Sequence, residues 1–228
     1  MKPAKLLILA SAGLLLVASK RDDLEAADDD MVGQVAGGFS FETLASRAEE
    51  TINVLTEQAA DVDNTTAQNN IAAGLKVIRL AEGTEGQPDP WRVCYGYRHT
   101  IQDTSSHPAI TGEWMGELLP DEMCANAGFG PGCKSTAAGA YQINKVTYRD
   151  VSAKTGVVGF DRASQDTYAI SLIARCGALE DLKAGNVAEF VRKCRGRWAS
   201  LPGNSAKQGQ RTYAQLTLWF QQAGGQLA

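Results

Sequence analysis

The sequence predicts an α+β protein: a mainly helical domain holding a small irregular β region, preceded by an N-terminal hydrophobic segment and an amphipathic helix. Three observations predict it. Segments of helical period, each bounded by capping residues, stand on both sides of residues 84–133. Residues 84–133 are rich in Gly and Pro and have little helical period, which reads as loops and short strands. The charge is divided: residues 1–70 hold five basic and twelve acidic side chains, a net of -7, and residues 71–228 hold 17 and 14, a net of +3. The division sets three segments: 1–21, a signal peptide or signal anchor; 22–70, an acidic linker and amphipathic helix; and 71–228, the main folded domain.

The whole chain, 228 residues with 44% hydrophobic and 21% charged, has ordinary globular composition, which excludes collagen-like, disordered and multi-span membrane classes. Its net charge of -4 gives no basic surface for nucleic acid.

Each segment has its own logic. Lys2 and Lys5 precede Leu6 to Ser19, which carries no charge and is short for a ~30 Å hydrocarbon core. A signal peptide fits, with small residues at Val17 and Ser19 for cleavage; Lys20 and Arg21 fit a retained anchor instead. Either reading makes the membrane a partner and sends the domain across it. Acidic residues and glycines from 22 to 38 read as a linker. Phe41, Leu44, Ala48, Ile52, Leu55, Ala59 and Val62 recur at helical spacing, a packing stripe to which no chemistry attaches. Polar Asn64 to Asn70 reads as a break. Ile71, Leu75, Ile78 and Leu80 open the domain on a helix ending at Gly83. Later helices are expected at 143–155, at 164–176 behind a Ser164 cap, from Val187 behind Asn186 to Trp198, and at 211–223.

The five cysteines lack metal-ligand spacing, so neither a metal site nor a cofactor is expected. Cys124 and Cys133 bracket a Gly-rich turn and can close a small loop; Cys176 and Cys194 lie near two joined helices and can pair; five reduced thiols is the alternative.

The chemistry centres on Ala81-Glu82-Gly83-Thr84. Glu82 stands at the last turn of an apolar helix, where the macrodipole and partial desolvation both raise a carboxyl's pKa. A general acid working near neutral pH needs that shift. In Ser135 to Gln142, small residues let a polymer approach the backbone, Tyr141 can lie against a sugar, and Gln142 can donate and accept hydrogen bonds. Trp91, Tyr95, Tyr97 and Trp198 add stacking surface or core.

These residues resemble the lambda-type phage lysozymes, or endolysins. Six strings match in order: AEGT at 81–84, SHP at 106–108, STAAGAYQ at 135–142, ASQD at 163–166, GAL at 177–179 and WASLPG at 198–203. The chain departs from the family pattern at Ser106, usually Asp, and at Ala140, usually Arg; residues 113–133 resemble an insertion over the cleft. The resemblance implies a lysozyme-like fold and a lytic transglycosylase cutting peptidoglycan between N-acetylmuramic acid and N-acetylglucosamine. Glu82 would be its sole catalytic carboxyl, with Tyr141, Gln142, Ser135, His107 and Trp198 at the saccharide cleft. A hydrolytic muramidase would need a second carboxylate, for which Glu85, Asp89 and Asp103 are available. A non-catalytic glycan-binding virion protein would sooner have lost the acid.

Overall fold

The structure, a computed structural model, describes residues 41–203 and 211–228. The hydrophobic segment and the acidic linker expected within 1–40 lie outside them. So do most side chains of the expected apolar stripe; of that stripe, Val62 is described and is exposed. Among the described residues no helix is long and apolar enough to cross a membrane. The chain divides into two compact units, residues 1–56 and 57–228, and the core and cleft belong to the second.

Helix α1 is Phe41–Glu82. The break expected at Asn64 to Asn70 is absent. Polar side chains end a helix only when something competes for its backbone; here residues 61–65 face solvent and the Thr65 hydroxyl bonds back to the Asp61 carbonyl at 2.9 Å, within the helix. Asn70 is buried and acts as a clamp, donating to the Lys183 and Gln226 carbonyls at 2.9 and 3.1 Å and accepting from the Gln226 N–H at 2.7 Å. Beyond it, Ala73, Val77, Ile78 and Ala81 form the buried face.

After α1 come two 3₁₀ turns, Pro90–Arg92 and Tyr95–Tyr97, and the short α2 (Pro108–Thr111). Strands β1 (Glu117–Leu118) and β2 (Lys134–Ser135) pair antiparallel, Glu117 opposite Ser135 and Leu118 opposite Lys134, with α3 (Asp121–Asn126) between them. The Cys124–Cys133 disulfide closes this hairpin loop, as its spacing allowed. The remaining helices are α4 (Lys145–Thr155), α5 (Arg162–Arg175), α6 (Leu179–Lys183), α7 (Val187–Cys194) and α8 (Tyr213–Gln222). The predicted α+β class stands: among the described residues the chain is mostly helix with one two-stranded sheet.

Beyond shifts of one or two residues in α4 and α8, two boundaries differ from expectation. Helix α5 is capped by Asp161, whose carboxylate accepts the Ser164 N–H at 2.8 Å, so Ser164 lies inside the first turn. Helix α7 stops at Cys194 instead of reaching Trp198, because the chain turns there, with the Arg197 N–H on the Cys194 carbonyl at 2.8 Å. Trp198 is then carried inward, only 3% exposed.

Helix α4 packs on α5, and α7 packs on both α6 and α8. Their buried faces supply Tyr148, Tyr168, Phe190, Leu216 and Phe220, which share one core with Phe160, Leu201, Ile78 and Tyr141. Each such side chain contributes about 1.5–3 kcal/mol by leaving water. The anticipated Cys176–Cys194 pairing is corrected: the two side chains meet by a hydrogen bond as free thiols. That bond lowers the pKa of Cys176, helped by the positive charges of Arg197 and Arg175, and together with burial it raises that of Cys194. Cys94 is buried and its thiol is pushed up to about 12.

Candidate active site

Glu82 is the last residue of α1, and the turn after it explains the motif. Gly83 sits at φ 75°, the left-handed region open to glycine. Its N–H reaches the Leu80 carbonyl at 3.2 Å and the Thr84 N–H reaches Arg79 at 3.0 Å, the two bonds of a Schellman stop. A Cβ on Gly83 would stand 3.1 Å from the Tyr97 hydroxyl, which itself donates to the Glu82 carbonyl at 3.0 Å. The buried Thr84 hydroxyl donates to the Ala140 carbonyl at 2.6 Å and ties this turn to the 135–142 segment. Glutamate, glycine and threonine thus share one task, ending the helix with the carboxyl at the mouth of a cleft.

That cleft, about 730 Å³, is lined by Glu82, Tyr95, Tyr97, Ala127, Ser135, Gln142, Asn144, Arg197, Trp198, Ser200 and Arg211 among others. The Ser200 hydroxyl donates to Glu82 Oε1 at 2.6 Å. Burial pushes the Glu82 pKa up; the Ser200 bond and the positive charge of Arg211 pull it back part of the way. Among the described residues lining the cleft, Glu82 is the only carboxylate.

The other carboxylates are engaged elsewhere. Glu85 accepts from Arg79 Nε at 2.6 Å, and Arg79 also donates to the Tyr141 hydroxyl at 3.0 Å. Asp89 caps the first 3₁₀ turn and faces Arg92 at 3.5 Å. Asp103 is exposed and accepts the Ser105 N–H at 2.8 Å.

Of the expected saccharide contacts, Ser135 and Gln142 line the cleft. Gln142 has φ 47° and Tyr97 φ 56°, and both of these non-glycine left-handed residues face the site. Tyr141 cannot lie against a sugar: it is fully buried, its hydroxyl donating to Asp166. His107 is likewise sealed in the core. Its Nδ1 accepts the Ala109 N–H at 3.1 Å, so Nε2 carries the proton donated to the Ile143 carbonyl at 3.0 Å. The rings of Tyr148 and Phe160 pack on it at 5.4 and 4.9 Å. Trp198 touches the cleft but gives almost no surface, its indole N–H fixed on the Tyr141 carbonyl at 3.1 Å. The available aromatic faces are Tyr95 and the 47%-exposed Tyr97.

Ser200, Arg197 and Arg211 are functional candidates that sequence reasoning missed. Ser200 stood inside the matched WASLPG string, which was its one signal. Gln165, inside ASQD, proves to be a tie. Its amide oxygen accepts the Ala140 N–H at 2.8 Å, and its nitrogen donates to Trp91 and Phe160 carbonyls at 2.8 and 2.6 Å. A Cβ on Gly139, at φ 72°, would stand 2.2 Å from that oxygen, so the close approach needs glycine. Among the described residues no His, Cys, Asp or Glu cluster could hold a metal.

A helical domain with a small hairpin beside a cleft, and a desolvated glutamate at a helix end facing it, define a lysozyme-type glycosidase. The Endolysin family model matches residues 72–227, and the chain belongs to that family of peptidoglycan-degrading enzymes. It is similar to the endolysin of Escherichia phage P2, 31% identical over 156 residues, covering 68% of this chain and 93% of the relative. It is also similar to that of Escherichia phage lambda, 34% identical over 95 residues, 42% of this chain and 60% of the relative. Among solved structures it resembles bacteriophage lambda lysozyme in complex with a chitohexasaccharide (TM-score 0.58, 27% identity, 70% of this chain and 97% of that one). A second structure of the lambda lysozyme matches with TM-score 0.55 and 28% identity over the same shares.

Proposed function

We propose that the protein is a lytic transglycosylase that cleaves the glycan strand of peptidoglycan between N-acetylmuramic acid and N-acetylglucosamine, with Glu82 as acid and then base. The observation that carries this reading is that Glu82 is the one carboxylate among the described residues of the cleft. A hydrolase of the usual kind needs two, about 5–5.5 or ~6.5–9.5 Å apart.

Neutral Glu82 donates its proton to the glycosidic oxygen, and the bond from muramic C1 to that oxygen breaks. The ionised carboxylate, steadied by the Ser200 hydroxyl, accepts the proton of the muramic C6 hydroxyl as its oxygen bonds to C1. Glu82 ends neutral, no water is consumed, and the product carries a 1,6-anhydro ring. The raised pKa supports the first step by keeping the acid protonated closer to neutrality. Tyr95, Tyr97, Ser135 and Gln142 supply contacts along the strand.

Mass spectrometry of digested cell walls tests the reaction: 1,6-anhydro-muramic ends are expected, and reducing ends alone would overturn it. Residues 1–21 would carry the domain across the inner membrane, a targeting role supported by Lys2, Lys5 and the uncharged stretch Leu6 to Ser19.

A further inference from the structure

Arg211 holds a position that the mechanism above does not use. It lines the cleft beside Glu82, and its backbone N–H donates to the Ser200 carbonyl at 3.0 Å, so one residue, Ser200, anchors both the acid and the arginine. Its guanidinium carbon lies 5.8 Å from the centre of the Trp219 ring, which limits where the fork can point. Its Nε–H is buried and, among the described residues, has no hydrogen-bond partner. An arginine N–H shut away from water without an acceptor is costly, and a carboxylate is the acceptor that best matches the guanidinium fork. Arg197, also in the cleft, already bonds to the Cys176 side chain.

We propose that Arg211 is a specificity-determining residue that takes a carboxylate on the 3-O-lactyl substituent of muramic acid, either the lactyl group's own or one on an attached peptide. Such a contact selects muramic glycan over neutral chitin-like polymer. The inference rests on the peptidoglycan reading of the cleft and extends it from the scissile bond to the substituent beside it.

The test measures binding by calorimetry to the full chain carrying Glu82→Gln, which stops turnover and removes the only carboxylate of the cleft that could answer Arg211. Three ligands are compared: chitohexaose, peptide-free glycan strands with the lactyl carboxylate exposed, and peptide-bearing strands. Adding Arg211→Gln is expected to weaken one or both muramic strands about tenfold, as loss of a charged hydrogen bond does, and to leave chitohexaose within about twofold. The strand that weakens identifies the source of the carboxylate. Arg211→Lys, which keeps the charge, should recover part of the loss and controls for folding. Equal weakening of all three ligands, or of none, overturns the inference. Failure of the peptidoglycan reading looks different: the protein with Arg211 intact would bind neither muramic strand.

Discussion

Glu82 and His107 are both titratable, both withdrawn from water, and both shifted by burial toward their neutral forms. The carboxyl is pushed up and the imidazole down, to about 4. Their surroundings then part. Glu82 opens on a cleft, is held by one hydroxyl and lies near one cation. His107 is closed in by two aromatic rings, and both ring nitrogens are committed to backbone groups. Desolvation alone therefore does not make a functional group. What separates the two is whether a reacting molecule can reach the proton.

The largest effect should come from removing the acid. Glu82→Gln preserves shape and hydrogen bonding but cannot deliver a proton, so lytic activity should fall by roughly 10²–10⁴-fold with unchanged circular dichroism. Substantial residual activity would place the acid elsewhere and erase the contrast with His107.

The next effect belongs to His107 and concerns stability alone. The unfolded imidazole titrates near 6.5 and the folded one near 4. Between those values the unfolded chain takes up a proton that the folded chain refuses. Stability from this group is therefore intact above pH 6.5, falls as pH drops toward 4, and levels off below, a loss of about 3 kcal/mol. Denaturant titrations at pH 7, 5.5 and 4 should show a shallower decline in His107→Gln than in the parent. Parallel declines would mean that the histidine is not buried neutral.

Ser200→Ala should give the smallest change. Its hydroxyl stabilises the ionised Glu82, so removing it raises the Glu82 pKa further, and the alkaline limb of the kcat/KM profile moves to higher pH. The rate at the optimum should fall roughly tenfold as the carboxylate loses its anchor. A drop in rate with an unmoved limb would reduce Ser200 to packing.

Much of the site was legible before the fold was. The Glu82-Gly83-Thr84 turn is local chemistry: a helix period, a residue free to adopt positive φ, and a carboxyl left at the helix end. The Cys124–Cys133 loop is local too, since the two cysteines stand nine positions apart. The reading failed where an aromatic or a histidine could serve either surface or core. Tyr141, His107 and Trp198 have the chemistry of sugar contacts, and only packing shows that all three are buried. Polar Asn64 to Asn70 misled for a related reason: without Gly or Pro, polarity marks a solvated helix face as readily as a break.

By itself the sequence determined the helices that carry their own caps, the loop-rich region between them, the acid and the turn that presents it. These depend on residues a few positions apart, whose backbone preferences act before any packing. Tertiary structure decided everything that joins distant segments. Ser200 meets Glu82 from 118 residues away, Trp198 and Tyr141 turn inward, Glu85 is consumed by Arg79, and Arg211 comes to stand beside the acid. Such contacts are chosen by how the buried faces of the helices fit together, and no short-range pattern encodes that fit.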